Sequence, residues 1–169
     1  MSNLINVRGF VPIIGSDSFI AQTAIIIGDV IAGNHCSFWF NAVIRGDVNS
    51  IRIGDFTNIQ DGAVIHATFE RSTTTIGNHV SIGHNAIVHG CSILNYVLIG
   101  MGAIIMDDAI VEDYCIIAAG AVVLERTVCQ SGFLYAGVPA RKIKPLTTEQ
   151  RSLLEKTPVN YVLYSSWFI

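Results

Sequence analysis

The sequence predicts an all-β chain: a parallel β-helix coiled into a triangular prism, followed by a C-terminal α-helical segment. Two observations carry this. Large apolar residues recur every six positions between Ile14 and Val123, and a small or β-branched residue tends to follow four positions after each. A period of six cannot make an amphipathic helix, which needs apolar residues at a 3.6 spacing, but it suits short parallel strands that meet at corners.

In chain order, the first run of hexads starts at Ile14, Ile20, Ile26, Ala32, Phe38 and Ile44. Its fifth positions are Ser18, Ala24, Val30, Cys36, Ala42 and Val48. After a three-residue slip the pattern resumes at Ile53, Ile59 and Ile65. A five-residue insertion within Ala67 to Thr75 follows, and the run continues at Ile76, Ile82, Val88, Ile93, Ile99, Ile105, Val111, Ile117 and Val123. The step from Val88 to Ile93 is one residue short. The repeat is expected to fade at about Leu124, with residues 1–136 forming the β-helix and 137–169 a C-terminal turn and helix. Gly137-Val138-Pro139-Ala140 reads as a turn leaving the prism, and Thr147 with Gln150 has the form of a capping box. Thr157-Pro158 reads as a further cap with proline in the first turn, and Val159, Val162 and Leu163 as one apolar stripe, packed on the prism or on a neighbouring subunit.

Composition narrows the function. Hydrophobic residues make up 51% of the chain against 14% charged, yet Gly, Asp or Asn interrupts every apolar run well short of 18 residues, so no membrane span is expected. The excess must serve a core or an oligomer interface. Net charge is −3 with no basic cluster, which disfavours nucleic acid and anionic membranes as partners. Met1-Ser2-Asn3-Leu4 lacks a signal-peptide pattern, which points to the cytoplasm. Cys36, Cys91, Cys115 and Cys129 have no paired spacing, so neither disulfides nor a cysteine zinc site is expected.

The chemistry concentrates between Ile65 and Gly90, where His66, His84 and His89 stand in the apolar pattern. Three neutral imidazoles with an open fourth position make a catalytic zinc site. Residues three hexads apart lie one coil above the other, about 4.8 Å apart. With the insertion discounted, this register stacks Arg45, His66 and His89 in one column and sets Asp61, with Gln60 alongside, beneath His84 in another. The columns project from different parts of the prism. A cyclic trimer would bring one subunit's first column against its neighbour's second, pairing Arg45 with a neighbouring Asp61 below a shared metal. His35 and His79 read as surface or capping residues.

The segments Val43-Ile44-Arg45-Gly46-Asp47-Val48, Asn58-Ile59-Gln60-Asp61, Ile65-His66 and Ile82-Gly83-His84-Asn85-Ala86-Ile87-Val88-His89-Gly90-Cys91 resemble the γ-class carbonic anhydrases over nearly the whole chain. The resemblance implies a left-handed coil and a homotrimer with three interface metal sites. It further implies His66, His84 and His89 as ligands and zinc as the metal, with iron(II) or cobalt as alternatives. It assigns Gln60 to the metal-bound hydroxide or the substrate, Arg45 to a neighbour's Asp61 and Asp47 to the same interface. A C-terminal polar side chain near the site would come from Asn160, Tyr161 or Tyr164. Two departures stand out: Val48 replaces a glutamate, and the loop that carries a proton-shuttling glutamate in the archetype is short here, with Glu70 a weak substitute.

The expected activity is hydration of carbon dioxide to bicarbonate by a metal-activated water, with low turnover allowed by those departures. The alternatives are an acyltransferase or thioesterase acting on coenzyme A esters, suggested by the prism and by Gly137-Val138-Pro139-Ala140-Arg141-Lys142-Ile143, and a non-catalytic assembly protein.

Overall fold

The structure, a computed structural model, describes residues 3–168; the expectations placed on Met1, Ser2 and Ile169 lie outside the described residues. The chain forms a mostly parallel β-solenoid of about seven turns, a left-handed β-helix with one C-terminal helix. Each turn contributes a short strand to each of three faces. The first, here the histidine face, includes Val64–His66, Ile87–His89, Ile104–Ile105 and Val122–Val123, all parallel and in register. The second, the distal face, includes Thr74–Ile76, Ser92–Ile93, Ile110–Val111 and Val128–Cys129. On the third, the helix face, Ser37–Phe38, Asn58–Ile59, Ser81–Ile82, Leu98–Ile99 and Ile116–Ile117 stack in the same manner. Two long strands, Ile25–Ala32 and Val43–Ile53, run from the histidine face round the corner onto the distal face.

The hexads explain this architecture because position 1 of each points inward. Ile26, Ile44, Ile65, Val88, Ile105 and Val123 fill the histidine face and are fully buried, as are Phe38, Ile59, Ile82, Ile99 and Ile117 on the helix face. Each such side chain contributes roughly 1.5–3 kcal/mol of transfer free energy. Fifth-position Ala24, Val30, Cys36 and Ala42 close the corners, where little volume is left. All four cysteines are free and buried.

The repeat departs from expectation in four places. It does not fade at Leu124, because Cys129 and Tyr135 continue the six-residue step as buried position 1 residues, in register with Val111 and Ile117. Val48 is not the corner residue of its turn. Ile51 is, fully buried opposite Val30, and the slip leaves residues 47–50 as an outward bulge between them. After the turn at 137–140 the chain does not leave at once but returns antiparallel as Arg141–Pro145 against Phe133–Ala136. Lastly, one continuous helix, α1 (Thr148–Ser165), contains Pro158 in its interior. The Thr147 capping box is present, but no new helix starts at Thr157. The hydrogen bond lost at Pro158 is offset by burial of Leu154 and Pro158 against the prism, while Thr157 Oγ1 bonds back to Leu153 O at 2.8 Å. The buried stripe is Leu154, Pro158 and Ser165, with Tyr161 half-buried beside it, whereas Val159 and Leu163 are exposed in the single chain.

His35 and His79 belong to a ladder. At the corner between the distal and helix faces, His35, Phe56, His79, Tyr96 and Tyr114 occupy left-handed backbone (φ 53–56°) and stack ring on ring at 4.6–5.0 Å. Stacking offsets backbone strain that bulky residues rarely accept.

Candidate metal centre

His66 and His89 are direct partners across parallel strands, one coil apart, as the register predicts. Ile44 pairs with Ile65 in the turn below, so Arg45 follows beneath His66. Period-two alternation turns all three outward while Ile44, Ile65 and Val88 point into the core.

The ring nitrogens of the two histidines converge. His66 Nε2 lies 3.1 Å from Asp47 Oδ1, and His89 Nδ1 lies 3.2 Å from Asp107 Oδ2. An ionised carboxylate only accepts hydrogen bonds, so each of those nitrogens carries its proton. In the neutral form of both rings the remaining nitrogens, His66 Nδ1 and His89 Nε2, present lone pairs to each other at 3.2 Å. Two acceptors that close repel, and a cation between them relieves the repulsion. The spacing fits: metal–nitrogen bonds of 2.0–2.1 Å at a tetrahedral angle place two ligand nitrogens about 3.3 Å apart.

The electrostatics favour a neutral His66 beside ionised Asp47 and Asp107. Burial acts to raise the Asp47 carboxyl, but hydrogen bonds from Arg45 and His66 outweigh it and hold the group below its usual range. Asp107 behaves alike, with burial opposed by the Ser72 hydroxyl, the neighbouring His89 and the Thr68 hydroxyl. Burial pushes His66 below the usual imidazole range, and Arg45 adds to it against the pull of Asp47.

His84 lies elsewhere. It sits with Asn85 in the corner that precedes Ile87–His89, above Asp61, as the second column requires. Its Nδ1 contacts Asp61 Oδ2 at 2.8 Å, which leaves Nε2 without a partner among the described residues. Among the described residues of one chain, no group of three metal-ligating side chains forms. The structure therefore brings together His66, His89, Asp47 and Arg45, and separately His84 and Asp61. Within the chain Arg45 engages Asp47 at 2.6 Å.

Gln60 and Tyr161 stand beside the second column. Gln60 is buried, donates from Nε2 to Asn58 Oδ1 at 3.0 Å and lines, with His84, an apolar groove of about 320 Å³ walled by Leu98, Met101, Ile116 and Ala118. Tyr161, on α1, packs its ring edge against Trp39 (5.4 Å between centroids), and burial followed by the Asp61 charge raises its phenol above the usual range. Asn160 and Glu70 are exposed, and Tyr164 is half-buried against Tyr161.

Asp107 is the residue the sequence reading missed. It stands at position 3 of its hexad, and its signal is the glycine in the coil below: a Cβ on Gly90 would collide with the Asp107 carboxylate and the Ser72 hydroxyl.

The chain is similar to known proteins over most of its length. Residues 90–125 match the family described as bacterial transferase hexapeptide (six repeats). The chain is 39% identical over 163 residues to gamma carbonic anhydrase 1, mitochondrial, of Arabidopsis thaliana, covering 94% of this chain but 59% of that protein. The chain thus spans less than two thirds of its plant relative. It is 42% identical over 146 residues to a probable carbonic anhydrase of Methanocaldococcus jannaschii, covering 86% of this chain and 91% of that one. Among solved structures, a hexapeptide transferase family protein from Anaplasma phagocytophilum superimposes with a TM-score of 0.94 at 40% identity, covering 98% of each chain. The chain belongs to the γ-class carbonic anhydrase family of hexapeptide-repeat β-helix proteins.

Proposed function

We propose that the chain is a metal-dependent carbonic anhydrase-like lyase, converting carbon dioxide to bicarbonate at sites shared between the subunits of a homotrimer. The observation that carries this is the pair of imidazole nitrogens facing each other 3.2 Å apart, each ring braced from behind by a carboxylate. His66 and His89 of one subunit and His84 of the next would hold zinc, or iron(II) or cobalt. When bound, the cation supplies Lewis acidity that brings the pKa of a coordinated water to about 7.

The shape of one face supports the shared site. Ile25, Val43, Val64, Ile87, Ile104 and Val122 are successive outward neighbours up the histidine face, an unbroken apolar ladder on a strand surface that would otherwise alternate with polar residues. The His84 corner lies at one edge of this face and the His66–His89 column at the other. A neighbour packed on the ladder would meet the column with its own His84. Three copies related by a threefold axis use both edges of every subunit.

The remaining residues divide the work. Asp61 lies against His84 Nδ1 and would leave Nε2 as the ligand atom, and Asp47 orients His66 from Nε2. In the assembly Arg45 would reach a neighbour's Asp61 while keeping Asp47 ionised. Gln60 offers an amide beside a groove whose apolar walls suit a small uncharged substrate. Tyr161, near Asp61, would complete the polar side of that pocket.

Acyl transfer or hydrolysis on coenzyme A esters is the competing reading, encouraged by the transferase name of the Anaplasma relative. It requires one histidine as general base, not two imidazoles facing each other.

Complementation tests the shared site. His84→Ala and His66→Ala should each lose metal and carbon dioxide hydration while remaining folded, and mixed trimers refolded from both should regain metal and activity where two intact columns meet. Failure in demonstrably mixed trimers would refute the interface assignment.

A further inference from the structure

We infer that Asp107, clamped by the inserted loop, is the positioning residue that fixes His89 with its Nε2 lone pair aimed at His66. This rests on the metal-centre reading above. Asp107 is buried, and its carboxylate accepts from three side chains. Thr68 Oγ1 lies 3.2 Å from both of its oxygens, Ser72 Oγ bonds Oδ1, and His89 Nδ1 lies 3.2–3.3 Å from the pair. The first two donors belong to the five-residue insertion, which the repeat itself does not need. The loop is closed on itself by Thr68 N to Ser72 Oγ at 3.1 Å, and Arg71 ties it to Glu125 at 2.9 Å.

The geometry leaves one assignment for this unit. A carboxylate held by two hydroxyl donors has a fixed orientation, and its remaining lone pairs call for a donor at His89 Nδ1. That places the Nδ1 proton away from the pair and frees Nε2. Without Asp107 the imidazole could rotate, or carry its proton on Nε2, where it would block the ligand position. Such partners behind metal-bound histidines typically contribute 10- to 100-fold in metal affinity.

The test uses Asp107→Asn, Asp107→Ala and the loop double variant Thr68→Val/Ser72→Ala on the full chain. In metal-free protein at pH 8, long-range ¹⁵N–¹H NMR of the imidazoles should find His89 protonated at Nδ1 in the wild type and largely at Nε2 in Asp107→Ala. Zinc affinity, measured by competition with a chelating dye, should fall 10- to 100-fold in Asp107→Ala, less in Asp107→Asn, and by an intermediate amount in the loop variant. Melting in excess chelator separates this from misfolding: loss of the fold in both Asp107 variants would make the residue a structural tie and overturn the proposal. An unchanged tautomer, or zinc affinity within threefold of wild type, would overturn it as well. If the wild type itself binds no zinc, the metal-centre reading fails, while the metal-free NMR still decides what Asp107 does to His89.

Discussion

Gly90→Ala isolates the crowding around Asp107, and its magnitude follows from the structure. Gly90 has φ +56°, so any side chain there adopts left-handed backbone at roughly 1–2 kcal/mol. Its new Cβ would also occupy the space of the Asp107 carboxylate and the Ser72 hydroxyl. Moving that carboxylate strands the buried Ser72 hydroxyl, at about 1–3 kcal/mol. The expected destabilisation is roughly 2–5 kcal/mol, a large part of the stability of a typical domain. For a chain of this length that corresponds to a fall in melting temperature of roughly 4–20 °C. Gly102→Ala supplies the control, since Gly102 has φ +66° with nothing within 4 Å of a new Cβ, leaving only the backbone contribution. Thermal melts of both variants in chelator, with zinc affinity measured in parallel, decide the matter. If Gly90→Ala melts no lower than Gly102→Ala and binds zinc equally well, the packing of Gly90 beneath Asp107 carries no weight and the reasoning fails.

Two further outcomes are expected. Ile87→Lys places a charge in the middle of the outward ladder, on a side chain already 38% exposed in the single chain. The prism should stay folded by circular dichroism while sedimentation shows dissociation and metal is lost; a trimer that persists would argue against this face as the interface. Acid should destabilise the metal-free protein in two stages. His66 has a folded pKa below its unfolded value near 6.5, so the folded state binds fewer protons, and stability falls as pH drops from about 6.5 toward the folded value. Asp47 and Asp107 are likewise depressed, so their contribution, complete above about pH 4, is lost as pH falls through their folded values. A melting temperature that rises between pH 7 and 5.5 would contradict the first stage.

The strands were legible where position 1 is aliphatic, because burial at a fixed period is a one-dimensional signal. They were not legible at Cys129 and Tyr135, whose side chains can also stand at a surface, although the prism buries them at the same step. The bulge after Gly46 was visible as a slip, but its outcome depends on whether Val48 or Ile51 reaches the core, and the larger side chain, opposite Val30, wins. Pro158 misled for a local reason: the rule that proline starts a helix ignores what burial of its ring contributes. Both histidine columns followed from counting, since parallel register converts sequence distance into height. Asp107 did not, because a carboxylate announces its partner only once the loop that reaches it has been folded.

The irregularities of the repeat share one place. The slip at 47–50 carries Asp47 at its start, the insertion at 67–75 carries Thr68 and Ser72, and the missing residue after Val88 falls at Gly90 and Cys91. All three lie at the corner where the histidine face turns into the distal face, directly after Arg45, His66 and His89 in successive coils. A regular hexad at that corner would place small side chains there and leave each imidazole free to rotate. The slip instead delivers a carboxylate to His66, and the insertion delivers two hydroxyls to the carboxylate behind His89. The shortened turn supplies a glycine beneath that carboxylate, where any side chain would displace it. Each departure weakens the repeat locally and braces one member of the histidine pair. Local rules give way most often where a site must be held, and here the position of those departures points to the His66–His89 column independently of the histidines themselves.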